Sequence, residues 1–265
     1  MRQAGLMRFA TWNVNSVNAR LPRLLEWLEQ TAPDVLCLQE TKVAADGFPD
    51  AEVKALGYEV AAYGQGRWNG VALLSKAGLD DVRRGFDGEP GYPDPEARAI
   101  SALCGGIRFI CVYVPNGRTP EDPHYAYKLS WLAALRTALA AQKGPAVLTG
   151  DFNVAPADDD VWDIGIFAGS THVTPPERDA LAALRDLGLT DVVPRPLKGD
   201  HPFTYWDYRA GMFHQNKGMR IDLVYATPDV AAAVTDAYVD REARKGKGPS
   251  DHAPVVIDIS PGSGF

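Results

Sequence analysis

Nine short apolar runs, at 8–14, 35–39, 58–63, 70–75, 98–104, 107–114, 146–150, 221–226 and 253–259, punctuate the 265 residues of the chain. Each is five to eight residues long and bounded by Gly, Pro, Asn or Asp, the pattern of a strand rather than a helix. Between them the period changes. Residues 20–31 carry Leu21, Leu24, Leu25 and Leu28 on one stripe; 125–141 carries Leu129, Leu132, Leu135 and Leu139 at three- and four-residue steps. A third helical pattern, 177–187, places Leu181, Leu184 and Leu187 in the same way. Gly105 and Gly106 join two runs as a hairpin-compatible dipeptide, whereas helical crossovers elsewhere require parallel neighbours. Nine strands exceed one comfortable twisted sheet, so the expected class is α/β with two packed mixed β-sheets flanked by helices. The Gly- and Pro-rich stretch 85–95 reads as a long surface loop. No linker or internal repeat divides the chain, and residues 1–265 are expected to form a single domain.

Composition excludes several classes. A hydrophobic content of 46% with 23% charged residues suits a large core and rules out a disordered chain. No run approaches the roughly 20 apolar residues of a bilayer span, and MRQAGLMRF lacks the apolar stretch of a signal peptide. A cytoplasmic protein without membrane partners is expected, and, with no coiled-coil pattern, a monomer. Cys37, Cys104 and Cys111 have neither metal-site nor disulfide spacing and read as reduced core residues. The net charge of −7 argues against polyanion binding by overall attraction. A nucleic-acid enzyme would need local basic patches, for which Arg83 with Arg84, Arg195 with Lys198, the trio Arg209, Lys217 and Arg220, and the segment 241–247 are candidates.

Acidic and amide residues stand at the mouths of five of the runs: Asn13 in FATWNV, Glu40 after DVLCLQ, Asp151 with Asn153 in AVLTGDFN, Asp222 in MRIDLVYA, and Asp251 with His252 in PSDHAPVV. Strand ends hold hard oxygen ligands rigidly, and five such rims can converge on one cleft, the construction of a metal-dependent phosphate hydrolase. Asp151 and Asn153 are two residues apart, so an extended step would put both on one side, one to handle a proton and the other to donate to a phosphoryl oxygen. An Asx turn after the strand is the alternative. Adjacent side chains diverge in an extended backbone, so Asp251 and His252 are expected to serve different partners. Asp222 is the candidate carboxylate to raise the His252 pKa. Glu40 suits Mg²⁺, while Asn13 and Asn15 serve equally well as turn formers. His124, His172, His201 and His214 lack such context and are assigned no role.

In order along the chain, TWNVNSVNAR, LQETK, WNGVALLSK, VYVPNG, GDFNVAP, TYWDYR, GMRID and SDHAPVV resemble the exonuclease III family of abasic-site endonucleases, within the endonuclease/exonuclease/phosphatase superfamily. The resemblance covers nearly the whole chain and implies a four-layer α/β sandwich. It implies Glu40 as principal metal ligand, with Asn13 beside it and Asp251 as a further metal-side carboxylate. Asp151 looks like the residue that activates the attacking water or protonates the leaving oxygen. Asn153 and Tyr113 match positions that hold the scissile phosphate, His252, oriented by Asp222, matches the histidine that contacts its oxygen, and Asn116 matches a polar position near it. The loop after Asn116, reading GRTPED, offers Arg118 as the candidate residue that the resemblance would insert at the DNA. Asn15 stands where some relatives carry Asp. Tyr205, Trp206, Met219 and Ile221 fall at or beside a small apolar pocket that accepts a flipped sugar lacking its base, with Trp206 fitting either pocket wall or core.

The expected protein is therefore a Mg²⁺-dependent DNA repair hydrolase, with Mn²⁺ as an alternative ion. It would cut double-stranded DNA 5′ of abasic sites and remove nucleotides or blocking groups from 3′ ends. Two alternatives stay open: a phosphoesterase of the same fold acting on a small lipid or inositol phosphate, and a nucleic-acid-binding protein without catalysis. The first would depend little on Tyr205 and Met219. The second would require a damaged catalytic set, which this sequence does not show.

Overall fold

Each of the nine apolar runs becomes a strand in the computed structural model, which describes residues 5–260; residues 1–4 and 261–265 of the expected domain lie outside the described residues. The strands are β1 (Met7–Asn13), β2 (Val35–Gln39), β3 (Glu59–Tyr63), β4 (Val71–Ser75), β5 (Asp80–Arg84), β6 (Ala99–Cys104), β7 (Ile107–Tyr113), β8 (Ala146–Asp151), β9 (Thr190–Asp191), β10 (Asp222–Ala226), β11 (Val234–Val239) and β12 (Val255–Ile259). The helices are α1 (Val17–Thr31), α2 (Asp50–Lys54), α3 (Pro123–Ala140), α4 (Ile164–Phe167), α5 (Pro175–Arg185) and α6 (Pro228–Ala232). One sheet has the order β11-β12-β1-β2-β4-β3 and the other β5-β6-β7-β8-β10-β9. Each contains one parallel pair, β1 with β2 and β7 with β8, and the crossovers are α1 and α3. The expected mixed two-sheet sandwich is what the chain forms.

Three apolar layers hold the four structural layers together. Phe9, Cys37 and Leu73 of one sheet meet Ile100, Phe109 and Val147 of the other between the sheets. The intervening residues of the same strands point the opposite way: Ala10, Trp12, Leu36 and Leu38 pack under Leu24, Trp27 and Leu28 of α1. On the far side Val112 and Leu148 meet Trp131, Leu132 and Leu135 of α3 and Leu181 and Leu184 of α5. Strands covered on both faces cannot alternate apolar with polar residues, which is why β2, β4 and β8 are buried at every position. The three cysteines are buried and free, as expected.

Cap chemistry sets the helix starts. Ser16 accepts from the Ala19 amide and begins α1 ahead of its leucine stripe, and Asp122 accepts from the His124 amide at 2.8 Å with Pro123 in the first helical position. The Gly105–Gly106 hairpin turn has φ of 56° and 83°, a left-handed pair that glycine adopts without strain. The loop at 85–95 is confirmed as irregular backbone, though its Tyr92 ring stacks on Tyr127 at 5.2 Å. Elements without an apolar period escape sequence reading: β5 is DDVRR, an edge strand guarded by charge, and α2, α4 and α6 are four or five residues long. No helix among the described residues is long and apolar enough to cross a membrane.

Strand direction positions the chemistry. β1 and β2 run together and β12 runs against β1, so the ends of the first two and the start of the third share one rim. β7, β8 and β10 repeat that arrangement in the other sheet.

Candidate active site

The two rims face each other across the sandwich, and Asn13 joins them. Its amide nitrogen donates to Glu40 Oε1 at 2.7 Å and to Asp151 Oδ2 at 2.9 Å, one partner from each sheet's side of the cleft. Strand register brings Asp151 opposite both Tyr113 on β7 and Asp222 on β10. His252, just before β12, bonds Asp222 Oδ2 through Nδ1 at 2.7 Å, and its Nε2 lies 3.8 Å from Asp151 Oδ2. Burial and the nearby Glu40 charge push the Tyr113 hydroxyl well above its ordinary value. Asn13, Asp151, Asp222 and His252 are all buried and bonded to one another, although Asp222 Oδ1 has no hydrogen-bond partner among the described residues.

Electrostatics follows from that burial. Desolvation pushes the Asp151 carboxyl up, and the neighbouring Asp222 and Glu40 charges add to the rise; although His252 and Asn13 oppose it, the carboxyl settles at about 7. Burial alone would lower His252, but Asp222, through charge and hydrogen bond, with Asp151 and Asp251, outweighs it and raises the imidazole to about 10. Burial would raise Glu40, yet Lys42, with Nζ 2.8 Å from Oε2, and Asn13 bring it below the usual carboxylate range. The rim thus holds a cationic imidazole, an ionised glutamate and an aspartate poised near neutrality.

The Asp151–Asn153 step departs from the extended geometry expected. The Asn153 amide donates to Asp151 Oδ1 at 2.9 Å and Asn153 has φ of 51°, so the alternative Asx turn is what forms. Asn153 still faces the cleft's neighbourhood: Oδ1 accepts from Asn116 Nδ2 at 3.1 Å, and Nδ2 donates to the Val114 carbonyl at 3.1 Å. Asp251 and His252 diverge as expected. Asp251 Oδ1 accepts from Asn15 Nδ2 at 3.1 Å. The side chains whose ligand atoms lie within 4.8 Å of one another, and which could together hold a cation, are Glu40, Asp151 and His252. Arg118 is exposed and reaches Asp122 at 3.5 Å.

Beside His252 opens a cavity of about 300 Å³. Its apolar walls are Trp162, Phe167, Tyr205, Met212 and Met219, with His172, Arg209 and Lys217 among its polar lining. The Tyr205 ring lies 5.0 Å from the His252 ring. Trp206 and Ile221, expected at or beside this pocket, do not line it. Trp206 is 1% exposed, packed with Phe203 and Phe213, and Ile221 is 2% exposed under Met219. Trp206 directly follows Tyr205 and so points the opposite way, into the core, whereas Ile221, two residues past Met219, is taken into the cluster beneath that residue. Of the basic trio, Arg220 is also removed from the surface by ion pairs to Asp160 and Asp191. A larger cavity of about 800 Å³, bordered by Arg84, Ile110 and Leu139, contains none of the converging residues.

Four contributors were invisible to sequence reasoning. His172 lines the cavity and bonds the Asn153 carbonyl through Nδ1. His124 Nδ1 accepts from the Gly117 amide at 3.1 Å, fixing the loop after Asn116. Arg98 lies over the Tyr113 ring at 4.8 Å and donates to its carbonyl at 3.1 Å. Lys42, inside the LQETK fragment, bridges Glu40 and Asn15 Oδ1. Only Lys42 lay in a motif that could have marked it.

Comparison with known proteins decides the ancestry. The model of the Endonuclease/Exonuclease/phosphatase family matches residues 10–252. The chain belongs to that family. It is 33% identical to exodeoxyribonuclease III of Haemophilus influenzae over 96% of this chain and all of that protein. Among solved structures, the 3′-5′ exonuclease NExo of Neisseria meningitidis is 40% identical over 96% of this chain and 99% of that one, with a TM-score of 0.91; a second structure, described as 3′ phosphatase NExo, holds a product DNA hairpin. An AP endonuclease from Archaeoglobus fulgidus is 36% identical, with a TM-score of 0.89 over 95% of this chain and 98% of that one. The resemblance drawn from the eight fragments is borne out, and the chain is a nuclease of the exodeoxyribonuclease III type, hence a hydrolase.

Proposed function

We propose that this rim is a divalent-metal-dependent phosphodiesterase centre that acts on double-stranded DNA, incising 5′ of abasic sites and processing 3′ ends. The observation that carries the proposal is the Asn13 amide bonded to both Glu40 and Asp151, with Asp151 beside a His252–Asp222 pair. The donor set suits Mg²⁺, with Mn²⁺ as the alternative: two carboxylates converge, and Glu40 is held ionised. Glu40 and Asn13 would hold the ion, with Asp251 supporting from behind Asn15. When bound, such a cation neutralises charge on the phosphate.

The chain's own residues do the rest. Asp151, near neutrality, can take a proton from water or give one to the leaving oxygen. His252, cationic and locked by Asp222, presents Nε2–H to a phosphoryl oxygen. Asn153 uses one amide N–H on Val114, leaving the second for the phosphate, and Tyr113 and Asn116 border the same place. Arg118, exposed beyond Asn116, and the Arg209 and Lys217 heads at the cavity supply local positive charge for a chain of net −7. Tyr205 and Met219 would receive an extruded sugar, which costs less to flip where no base is stacked.

A second reading gives 3′-end processing the larger share. His172 lines the cavity a flipped sugar would enter, and NExo carries 3′ activities in its descriptions. The test of both is incubation of the protein with three labelled duplexes, one with an internal abasic analogue, one with a 3′-phosphate and one undamaged, with Mg²⁺ or with EDTA. Metal-dependent incision at the analogue is expected. Release at 3′ ends alone would install the second reading, and hydrolysis of small phosphoesters with no action on DNA would overturn both.

A further inference from the structure

Lys128 on α3 and Glu177 on α5 are both fully buried, with 0% exposure, and form an ion pair. Burying two charges is not an economical way to pack helices, since apolar residues of like volume serve stability as well or better. The Lys128 ammonium has three donors, and each has a distinct acceptor: Glu177 Oε1, the Asn116 carbonyl at 3.1 Å and the Asn153 carbonyl at 2.7 Å. These carbonyls belong to the loops that follow β7 and β8. Among the described residues no other cation is hydrogen-bonded to both loops.

Glu177 continues the connection. Its Oε2 accepts from the Thr174 amide at 3.0 Å and hydroxyl at 2.6 Å, an ordinary capping arrangement for α5. Its Oε1 does more than a cap requires. It accepts from Thr171 Oγ1 at 2.8 Å and the His172 amide at 3.0 Å as well as from Lys128, and Thr171 Oγ1 also reaches the Asn116 carbonyl at 3.2 Å. Gly117 is clasped against the pair: a Cβ there would come within 3.0 Å of Lys128 Cδ and 2.7 Å of Thr171 Oγ1. Asn153, at φ of 51°, and His172, at 82°, sit in left-handed backbone that persists only where surroundings over-determine it.

We infer that the Lys128–Glu177 pair is a positioning device that sets the Asn116 and Asn153 loops relative to each other, and so fixes the two amide side chains at the phosphate. This rests on the reading that Asn116 and Asn153 face the phosphate. Neither Lys128 nor Glu177 touches substrate; both act through the loops.

The test uses Lys128→Met and the double variant Lys128→Met with Glu177→Gln, which leaves no carboxylate buried and unpaired. The Gly117, Arg118 and Asn153 amides belong to the two loops, are hydrogen-bonded to the side chains of His124, Asn116 and Asp151, and report the loops' order by hydrogen exchange. In the double variant their exchange is expected to quicken by about a hundredfold while the β1 and β8 amides keep their rates. On the duplex the wild type cleaves, kcat is expected to fall tenfold to a hundredfold, roughly, with KM within about threefold, the split of a lost transition-state geometry. Unchanged exchange at those three amides would overturn the inference whatever the rate. A wild type that cleaves no DNA would instead count against the substrate reading, and the exchange result would still decide the role of the pair.

Discussion

The proton-handling side of the site stands on strand ends, whereas the cavity beside it is walled by loops and the four-residue α4. Asn13, Asp151, Asp222 and His252 are at most 3% exposed and tied by hydrogen bonds to residues 27 to 138 positions away. On the cavity side Ile166 is 59% exposed, Tyr205 is half-buried, and Lys217 reaches the wall by lying over the Trp162 ring at 4.8 Å. Strand ends cannot move without breaking a ladder, so the chemistry is fixed to a fraction of an ångström; loop walls can change residue by residue without cost to the sheet. One centre can therefore serve several substrates across a family.

The comparison is broken or sharpened by four substitutions. Asp151→Asn is expected to lower kcat by about 10² to 10⁴ with unfolding behaviour near wild type, and full activity in single-turnover cleavage would remove Asp151 from the proton transfer. Trp206→Ala should cost about 3–5 kcal/mol of stability in urea unfolding, because that ring belongs to the core; a stable variant with altered substrate choice would return it to the pocket.

Asp222→Asn has a smaller effect with a pH signature. Because the His252 pKa is raised from 6.5 to about 10, its contribution to stability is complete below 6.5 and is lost as pH rises through 10. Removing the Asp222 charge should let the imidazole lose its proton near neutrality, with a rate loss of about tenfold to a hundredfold that deepens as pH rises. An NMR titration in which the ring stays cationic through pH 8 in the variant would contradict the pairing. Met219→Ala is expected to change discrimination between abasic and undamaged duplex by about tenfold while leaving 3′-end rates near wild type, read from kcat/KM on each. An equal loss on both substrates would place Met219 in the catalytic side instead.

The same division explains what the sequence could show. Strand ends advertise themselves, since an acidic or amide residue closing an apolar run is a local pattern, and Asn13, Glu40, Asp151, Asp222 and His252 all converge in the fold. The cavity has no such pattern. Trp162 comes from a loop, Phe167 from the four-residue α4, and His172 from a left-handed turn, so only the fold brings them together. Trp206, an aromatic inside a family motif that fitted either pocket wall or core, goes to the core because it stands on the opposite side from Tyr205. β5 and the short helices were illegible for lack of period, and the Asx turn at Asn153 because a two-residue spacing fits both an extended step and a turn.

Calorimetric titration of Mn²⁺ into wild type and Glu40→Gln, followed by duplex cleavage in the same buffers, tests the central claim most directly. The strand-rim centre should give saturable uptake and cleavage in wild type, with both lost together in Glu40→Gln. Equal uptake and equal cleavage by the variant would show that the converging carboxylates are not where this nuclease works.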